Sequence, residues 1–458
     1  RSKRGHNVVG ATTAVLLLMC TPAVADTDAF QQAKEDVADQ LEHEPAPRLH
    51  KWRHVDREGK AARRVSTLGA AIWTPGEKPG TIDVLGTEIK LSLLGYVKLD
   101  TMHDFSALGL GNDDGFYNAF ITGEIPVEGT EAAERTGRTG FTANNTRFSV
   151  TISTPTPLGE LAAFTQVQFN EYVTGRPDPY LRQAYLQFGN ALVGRAWSTF
   201  TPTAPIPFTL DYEGPNAIPE FRQALFRWTQ PLPEMWNSRV YLAVAVEEPD
   251  AQLTLPTDAS AENPTPDIVL RLNLRRDWFN IYLSGVYRQL RAEGGGFNDT
   301  VSAGGASFSG SINTTGSDNL QFGIVGGYGV GRYIQDMQDL GLDAAPSSAS
   351  STRLRTIPAV GGWLGYQHWW TGRLRSTATY SHVRAYSDFV PFVTQGVPPS
   401  AGIYQRANYA SLNLIWSPFD PFDLGIEYLW GNRETSDGRR GHDNRIQLSA
   451  ILYFGASS

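Results

Sequence analysis

From Thr87 to Phe454 the chain alternates apolar and polar positions with a period of two, in short segments separated by connections rich in Gly, Pro, Ser and Asp. That period belongs to strands with one apolar face. The last segment shows it most cleanly. Over Asn444 to Phe454, the residues Ile446, Leu448, Ala450, Leu452 and Phe454 share one face, while Arg445, Gln447, Ser449, Ile451 and Tyr453 share the other. Such a run of about ten residues is what a tilted strand needs to cross a bilayer. Sixteen segments of this kind are predicted, from 88–100 to 444–454, among them 221–230, 303–313 and 318–333. Connections after even segments are short, such as Gly189 to Ala191, Pro231 to Asn237 and Trp370 to Gly372, and those after odd segments are mostly long. Short turns at one end and long loops at the other are the signature of an outer-membrane barrel. The segments share phase rather than sequence, which argues against a repeat propeller. The expected fold is all-β: a sixteen-stranded antiparallel transmembrane β-barrel over 87–454, closed by pairing the last strand with the first, with a short helical and linker extension before it.

The N-terminal stretch breaks this pattern. Residues 1–25 read as a signal peptide, with basic Arg1, Lys3 and Arg4, an apolar run from Val8 to Met19 and a small-residue site at Ala23-Val24-Ala25. Cys20, the only cysteine, lies inside it. Residues 26–86 read as a periplasmic extension. Phe30, Ala33, Val37 and Leu41 recur at helical spacing before Pro45, and a basic stretch follows from Arg48 to Arg64. Four residues, Gly455 to Ser458, trail the terminal aromatic as a tail.

Composition adds limits. No run of 18 apolar residues is present, so no membrane-spanning helix is predicted. A net charge of −8 speaks against a nucleic-acid partner. No metal-ligand cluster or phosphate-binding glycine loop is visible, so no metal and no cofactor is expected. Aromatics near strand ends, including Tyr366, Trp369, Trp370, Trp416, Tyr428, Trp430, Tyr453 and Phe454, read mostly as interfacial girdles.

Several motifs together carry a family likeness: GYVKLD (Gly95 to Asp100), RFSVTISTPTPLGEL (Arg147 to Leu161), RQAYLQFGNALVGRAWSTF (Arg182 to Phe200), GYGVGRYI (Gly327 to Ile334), NLIWSPFDPFDLGIEYLWGNRE (Asn413 to Glu434) and the terminal NRIQLSAILYF. On these the chain resembles the DcaP-like porins and, more distantly, the general trimeric porins. The resemblance implies a homotrimeric channel in the bacterial outer membrane, in contact with its lipid, that passes small anionic or polar solutes such as dicarboxylates. It also implies that the connection after the fifth strand, Thr201 to Glu220, folds into the lumen.

A channel's chemistry is its lining. By position between turn and loop, Arg147, Arg182, Arg195, Arg227 and Arg271 lie near mid-barrel on one half of the wall. Phase points inward for Arg147, Arg227 and Arg271, whose neighbours Phe148, Trp228 and Leu270 are apolar. Arg182 shares parity with Leu186 and Phe188, so phase leaves it open, as it does Arg195; Gln183 and Tyr185 could then face a neighbouring subunit. In the proline-stiffened loop, Phe208, Asp211, Tyr212, Glu213 and Glu220 are the candidate constriction residues, with the three carboxylates expected to face the basic wall. Two other readings compete with a passive channel. A barrel enzyme, lipase- or protease-like, needs a nucleophile with a His base; His103, His368, His382 and His442 are the barrel histidines, with no recognisable serine motif beside them. A structural tether would use the basic stretch to grip the cell wall.

Overall fold

The computed structural model describes residues 73–75, 81–84, 87–106, 119–135, 137–170, 178–390 and 402–455. The expectations for residues 1–72, covering the signal peptide, the amphipathic helix and the basic stretch, and for tail residues 456–458, lie outside the described residues.

Sixteen strands form the wall: β1 (Lys90–Asp104), β2 (Arg147–Thr156, with the short Arg138–Thr142 continuing its line), β3 (Gly159–Asn170), β4 (Asp178–Phe188), β5 (Ala191–Trp197), β6 (Arg222–Met235), β7 (Ser238–Glu247) and β8 (Asp267–Arg276). The second half is β9 (Phe279–Gly294), β10 (Phe297–Asn313), β11 (Asn319–Tyr328), β12 (Pro358–Thr371), β13 (Leu374–Ala385), β14 (Tyr404–Phe419), β15 (Phe422–Thr435) and β16 (Arg440–Phe454). Each pairs antiparallel with its sequence neighbour. β16 pairs with β1 from Arg445 opposite Asp104 to Phe454 opposite Gly95, which closes the cylinder. Closure satisfies every strand edge, as lipid requires of a spanning sheet. Side chains alternate accordingly: Leu412, Leu364 and Ile324 stand exposed on the outside, while Asn413, Trp363 and Val325 are buried inside. Beyond Phe454, Gly455 takes φ +72, and an added Cβ would lie 1.6 Å from the Leu93 carbonyl oxygen. Only glycine fits that exit.

Four departures from the sequence reading stand out. Two short strands, Trp73–Pro75 and Thr81–Val84, pair with each other, and the second lies along the start of β1, inside the stretch expected to be linker. β6 runs on to Met235, and its turn is the pair Trp236–Asn237, both with positive φ, as a tight hairpin requires. β10 begins at Phe297 rather than near 303. β11 ends at Tyr328, and the residues expected to extend it turn inward instead.

Inside the wall, segments 119–127, 198–221 and 329–346 fold into the lumen. Phe200, Ile218, Tyr333, Ile334 and Met337 bury against Val325, Trp363 and Val383 of the wall. Phe120 and Ile125 pack on Tyr409 and Leu429. Each such side chain withdrawn from a watery lumen contributes about 1.5–3 kcal/mol. The segments also bind one another. The Asp336 carboxylate accepts from Thr122 Oγ1 at 2.7 Å, the Gly123 amide at 2.6 Å and the Tyr404 hydroxyl at 2.6 Å.

Candidate functional site

Four of the five expected arginines point into the lumen, and they sit on alternate strands of one side of the wall. Arg147 (β2), Arg182 (β4), Arg227 (β6) and Arg271 (β8) are all buried. Arg147 donates to Gln168 Oε1 at 3.4 Å and lies 5.4 Å from the Tyr96 ring centroid. Arg271 donates to the Thr201 carbonyl at 3.3 Å, where the inward loop begins. Arg182 is decided by a feature that parity cannot show. Gln166 pairs with Gln183 and Val167 with Leu181, so Arg182 is the extra residue of a β-bulge. The bulge resets the phase: Leu181 and Leu186 face out, while Arg182, Gln183 and Tyr185 all face in. Gln183 and Tyr185 therefore are not outward interface residues. Arg182 donates to Gln166 at 3.2 Å and to Gln168 and the Tyr212 hydroxyl, both at 2.6 Å.

Arg195 departs from the expectation. It shares parity with exposed Val193 and pairs with Ala184 and Ala224, which places it on the outward side of β5. Half-buried there, it donates to the Tyr180 hydroxyl at 3.0 Å.

The connection after β5 does enter the lumen, and it crosses to the far wall. Glu427 on β15 accepts the amides of Leu210 and Asp211, both at 2.7 Å. Asn413 on β14 donates to the Phe208 carbonyl at 2.9 Å, and Gln447 on β16 donates to that of Leu210 at 2.8 Å. Trp363 on β12 donates to the Pro205 carbonyl at 2.9 Å. Phe208 and Leu210 bury against Tyr96, Ile415, Ile451 and Tyr453. Tyr453 thus belongs to the lumen, not to a girdle, whereas Tyr366, Trp370, Trp416 and Tyr428 are exposed outside.

The loop's carboxylates do not stand opposite the basic wall as expected. Asp211 turns back on its own side, accepting the Phe120 and Gly214 amides at 2.9 Å each. Glu220 pairs with Arg222 at 2.9 Å, and that guanidinium stacks 3.7 Å from the Trp197 ring centroid. Glu213 is half-buried, and burial, followed by the nearby Glu220, Asp211 and Glu124 carboxylates, pushes its carboxyl well above the ordinary range. Tyr212 is the loop side chain that reaches Arg182: its hydroxyl also accepts from Gln168 at 2.8 Å.

The sequence reading missed the second inward segment and its anchors. Arg288 (β9) bonds Asp267 at 2.9 Å and Asp343 at 2.8 Å. Tyr333 donates to Asp267 at 2.8 Å, and Arg332 to Gln223 at 2.6 Å. Arg375 pairs with Asp423, and Arg445 with Asp104. A signal existed for the wall anchors: Asn413, Glu427 and Gln447 are polar residues between apolar neighbours at inward parity. Among the described residues the histidines form no catalytic group. His368 meets Asp318 and His382 meets Asn408, each at 2.8 Å, at opposite ends of the β12–β13 pair.

A closed sixteen-stranded wall with an inward loop and a lumen of buried arginines is porin architecture, and comparison with known proteins agrees. The DcaP outer membrane protein family matches residues 74–454. This chain belongs to the DcaP outer membrane protein family. It is a porin-type channel of the bacterial outer membrane and not an enzyme. The crystal structure of the outer membrane channel DcaP of Acinetobacter baumannii aligns at a TM-score of 0.65 and 20% identity, covering 80% of this chain and 97% of that one. An anion-selective porin from Comamonas acidovorans aligns at 0.51 and 11% identity, covering 80% of this chain and 100% of that one. Both share the fold. No curated protein sequence matches the chain.

Proposed function

We propose that this DcaP-family channel admits small anionic solutes, dicarboxylates among them, past a narrow point formed by the arginine wall and the inward loop. The observation that carries the reading is the set Arg147, Arg182, Arg227 and Arg271, gathered inward on β2, β4, β6 and β8. One charge about 7 Å from a solute in water-like dielectric contributes roughly 0.6 kcal/mol, and salt reduces it by about half. Four arginines at unequal distances then give about 1 kcal/mol, a roughly fivefold preference for anions. That suits fast passage with weak binding. The solute-facing counterpart on the loop is Tyr212 with half-buried Glu213, so the transverse field is weaker than three opposed carboxylates would set. The test is the reversal potential of the purified channel in a planar bilayer under a salt gradient. Arg147→Ala, Arg227→Ala and Arg271→Ala are expected to shift it toward cations, and additively in combination. An unshifted potential in the triple variant defeats the reading.

We also read the channel as a homotrimer, joined on the β4–β5 side. An arginine facing lipid at mid-depth costs about 2–4 kcal/mol, and outward Arg195 escapes that cost against a neighbouring subunit. Native mass spectrometry of the wild type and Arg195→Glu tests this: the charge-reversed protein is expected to lose the trimer, and an unchanged trimer rejects that face.

A further inference from the structure

The outward face of β13–β16 changes character at one height. Lower down it is apolar and aromatic, with Leu412, Tyr428 and Tyr380 exposed. Above them His382, Asn408, Asn432 and His442 form one cross-strand row, and Arg384, Arg406, Glu434 and Arg440 form the next. From Phe419 up to Ala410 the outward face of β14 covers about 30 Å of strand, or about 23 Å along the barrel axis at a tilt of about 40°. An outer-membrane apolar band is about 25 Å tall. The two polar rows therefore lie at the level of the lipid headgroups on the long-loop side.

The rows are built, not scattered. Asn408 Oδ1 accepts from the Tyr380 hydroxyl and His382 Nδ1, both at 2.8 Å, and its Nδ2 donates to Asn432 Oδ1 at 2.8 Å. That chain leaves the Nδ2 of Asn432 as a donor at its end. Glu434 accepts from Arg406 at 2.6 Å and Arg440 at 2.9 Å, which holds the two guanidiniums side by side. The Arg440 side chain is still 68% exposed. Arg406, Asn432, Arg440 and His442 border an open concavity of about 760 Å³, with Glu128 also in its lining. Arg384, Arg406 and Arg440 face Glu434 and Glu128, so the patch is net positive and rich in donors.

We propose that this patch binds the phosphate headgroup of an outer-leaflet glycolipid, whose acyl chains lie on the apolar band below. Clustered guanidiniums match phosphate oxygens in geometry and charge. The apolar face directly beneath them gives the remainder of an amphipathic lipid its surface. A free anion would use only the upper half of the site. The β13–β16 face also lies across the cylinder from Arg195 and so stays open to lipid in the trimer proposed above.

The test titrates the purified full-length channel in detergent with bisphosphorylated lipid A, its fully dephosphorylated form and inorganic phosphate, read by native mass spectrometry. The bisphosphorylated lipid is expected to bind, and Arg384→Gln/Arg406→Gln/Arg440→Gln to weaken it at least about tenfold with single-channel conductance unchanged. Glu434→Gln removes the competing carboxylate and is expected to tighten binding, a direction that general damage to the fold does not produce. Equal affinity in the triple variant, or equal binding of the dephosphorylated lipid, overturns the proposal. So does displacement of the lipid by inorganic phosphate at comparable concentration, which makes the patch a free-anion site. Cross-linking between copies through Asn432→Cys, in place of lipid binding, makes the occupant a second subunit and equally overturns it.

Discussion

The two large inward segments are held in different ways. Segment 198–221 is pinned by its backbone: side chains from β12 to β16 reach its amides and carbonyls, with Glu427, Asn413 and Gln447 at the centre. Segment 329–346 is pinned by its own side chains, through Asp343 to Arg288, Tyr333 to Asp267 and Arg332 to Gln223. The first arrangement keeps loop side chains such as Tyr212 and Glu213 out of the bonds to the far wall. The second uses them up. A wall that grips the backbone permits the loop's side chains to change without releasing the loop, so the first segment can tune selectivity while the second acts as a brace.

The sharpest way to break this comparison is Arg288→Ala. It strands Asp267 and Asp343 in a buried site, and losing one partner of a buried ion pair costs about 3–5 kcal/mol. A large fall in the unfolding midpoint is expected, with higher and noisier single-channel conductance as the brace loosens. A loss below about 1 kcal/mol, the range of an exposed pair, would remove the brace reading. Glu427→Gln comes next. It keeps the shape but gives up the charge in two short bonds to the Leu210 and Asp211 amides. Hydrogen bonds to charged groups contribute about 1.5–3 kcal/mol, so a moderate loss is expected, with stepwise conductance fluctuations as loop 198–221 detaches. Quiet channels in that variant would mean the loop is held mainly by the packing of Phe208 and Leu210.

The two segments also differ in how far the sequence betrayed them. The wall was legible almost throughout: period-two alternation fixes strand faces, and the short and long connections set the count of sixteen and the pairing of β16 with β1. Loop 198–221 was legible as a loop because its prolines interrupt that alternation between two clear strands, and its inward fold came only from the family resemblance. Segment 329–346 was not, because Gly327 to Ile334 keeps an alternating look past the true end of β11. Only Gly329, with φ +69, marks the turn inward. Its anchors are remote, Arg288 and Asp343 being 55 positions apart, and no local pattern records such a pair. The direction of Arg182 stayed open for another reason: one bulge shifts the residues beyond it by one position, and parity carries no sign of it. Asp211 could have been read better, since Gly214 three residues on is the spacing of a turn in which the carboxylate takes a nearby amide.

Glu213 sharpens the comparison through pH. Its raised carboxyl binds a proton more readily in the folded channel than in the unfolded chain. The linked penalty is absent below the ordinary glutamate range and grows as pH rises through and beyond it. Glu213→Gln is therefore expected to stabilise the protein near neutral pH and to flatten this part of its pH profile. In the wild type, anion preference is expected to increase as pH falls and Glu213 becomes neutral. The brace segment predicts no such rise, and a pH profile unchanged by Glu213→Gln would place the titration elsewhere.

The smallest effect separates the two roles most directly. Tyr212→Phe removes one hydroxyl, which accepts from Arg182 and Gln168, and leaves the ring whose centroid lies 5.6 Å from the guanidinium. A hydrogen bond of this kind contributes about 0.5–1.5 kcal/mol, more when the donor is charged, so the barrel should unfold at nearly its original midpoint. Arg182 keeps Gln166 and Gln168 as acceptors and gains freedom toward the lumen. Reversal potentials are then expected to hold or move slightly toward anions, whereas Arg182→Ala moves them toward cations. If Tyr212→Phe instead shifts them as far as Arg182→Ala does, the phenol and not the guanidinium is the recognising group, and loop 198–221 carries the selectivity that the arginine wall is assigned here.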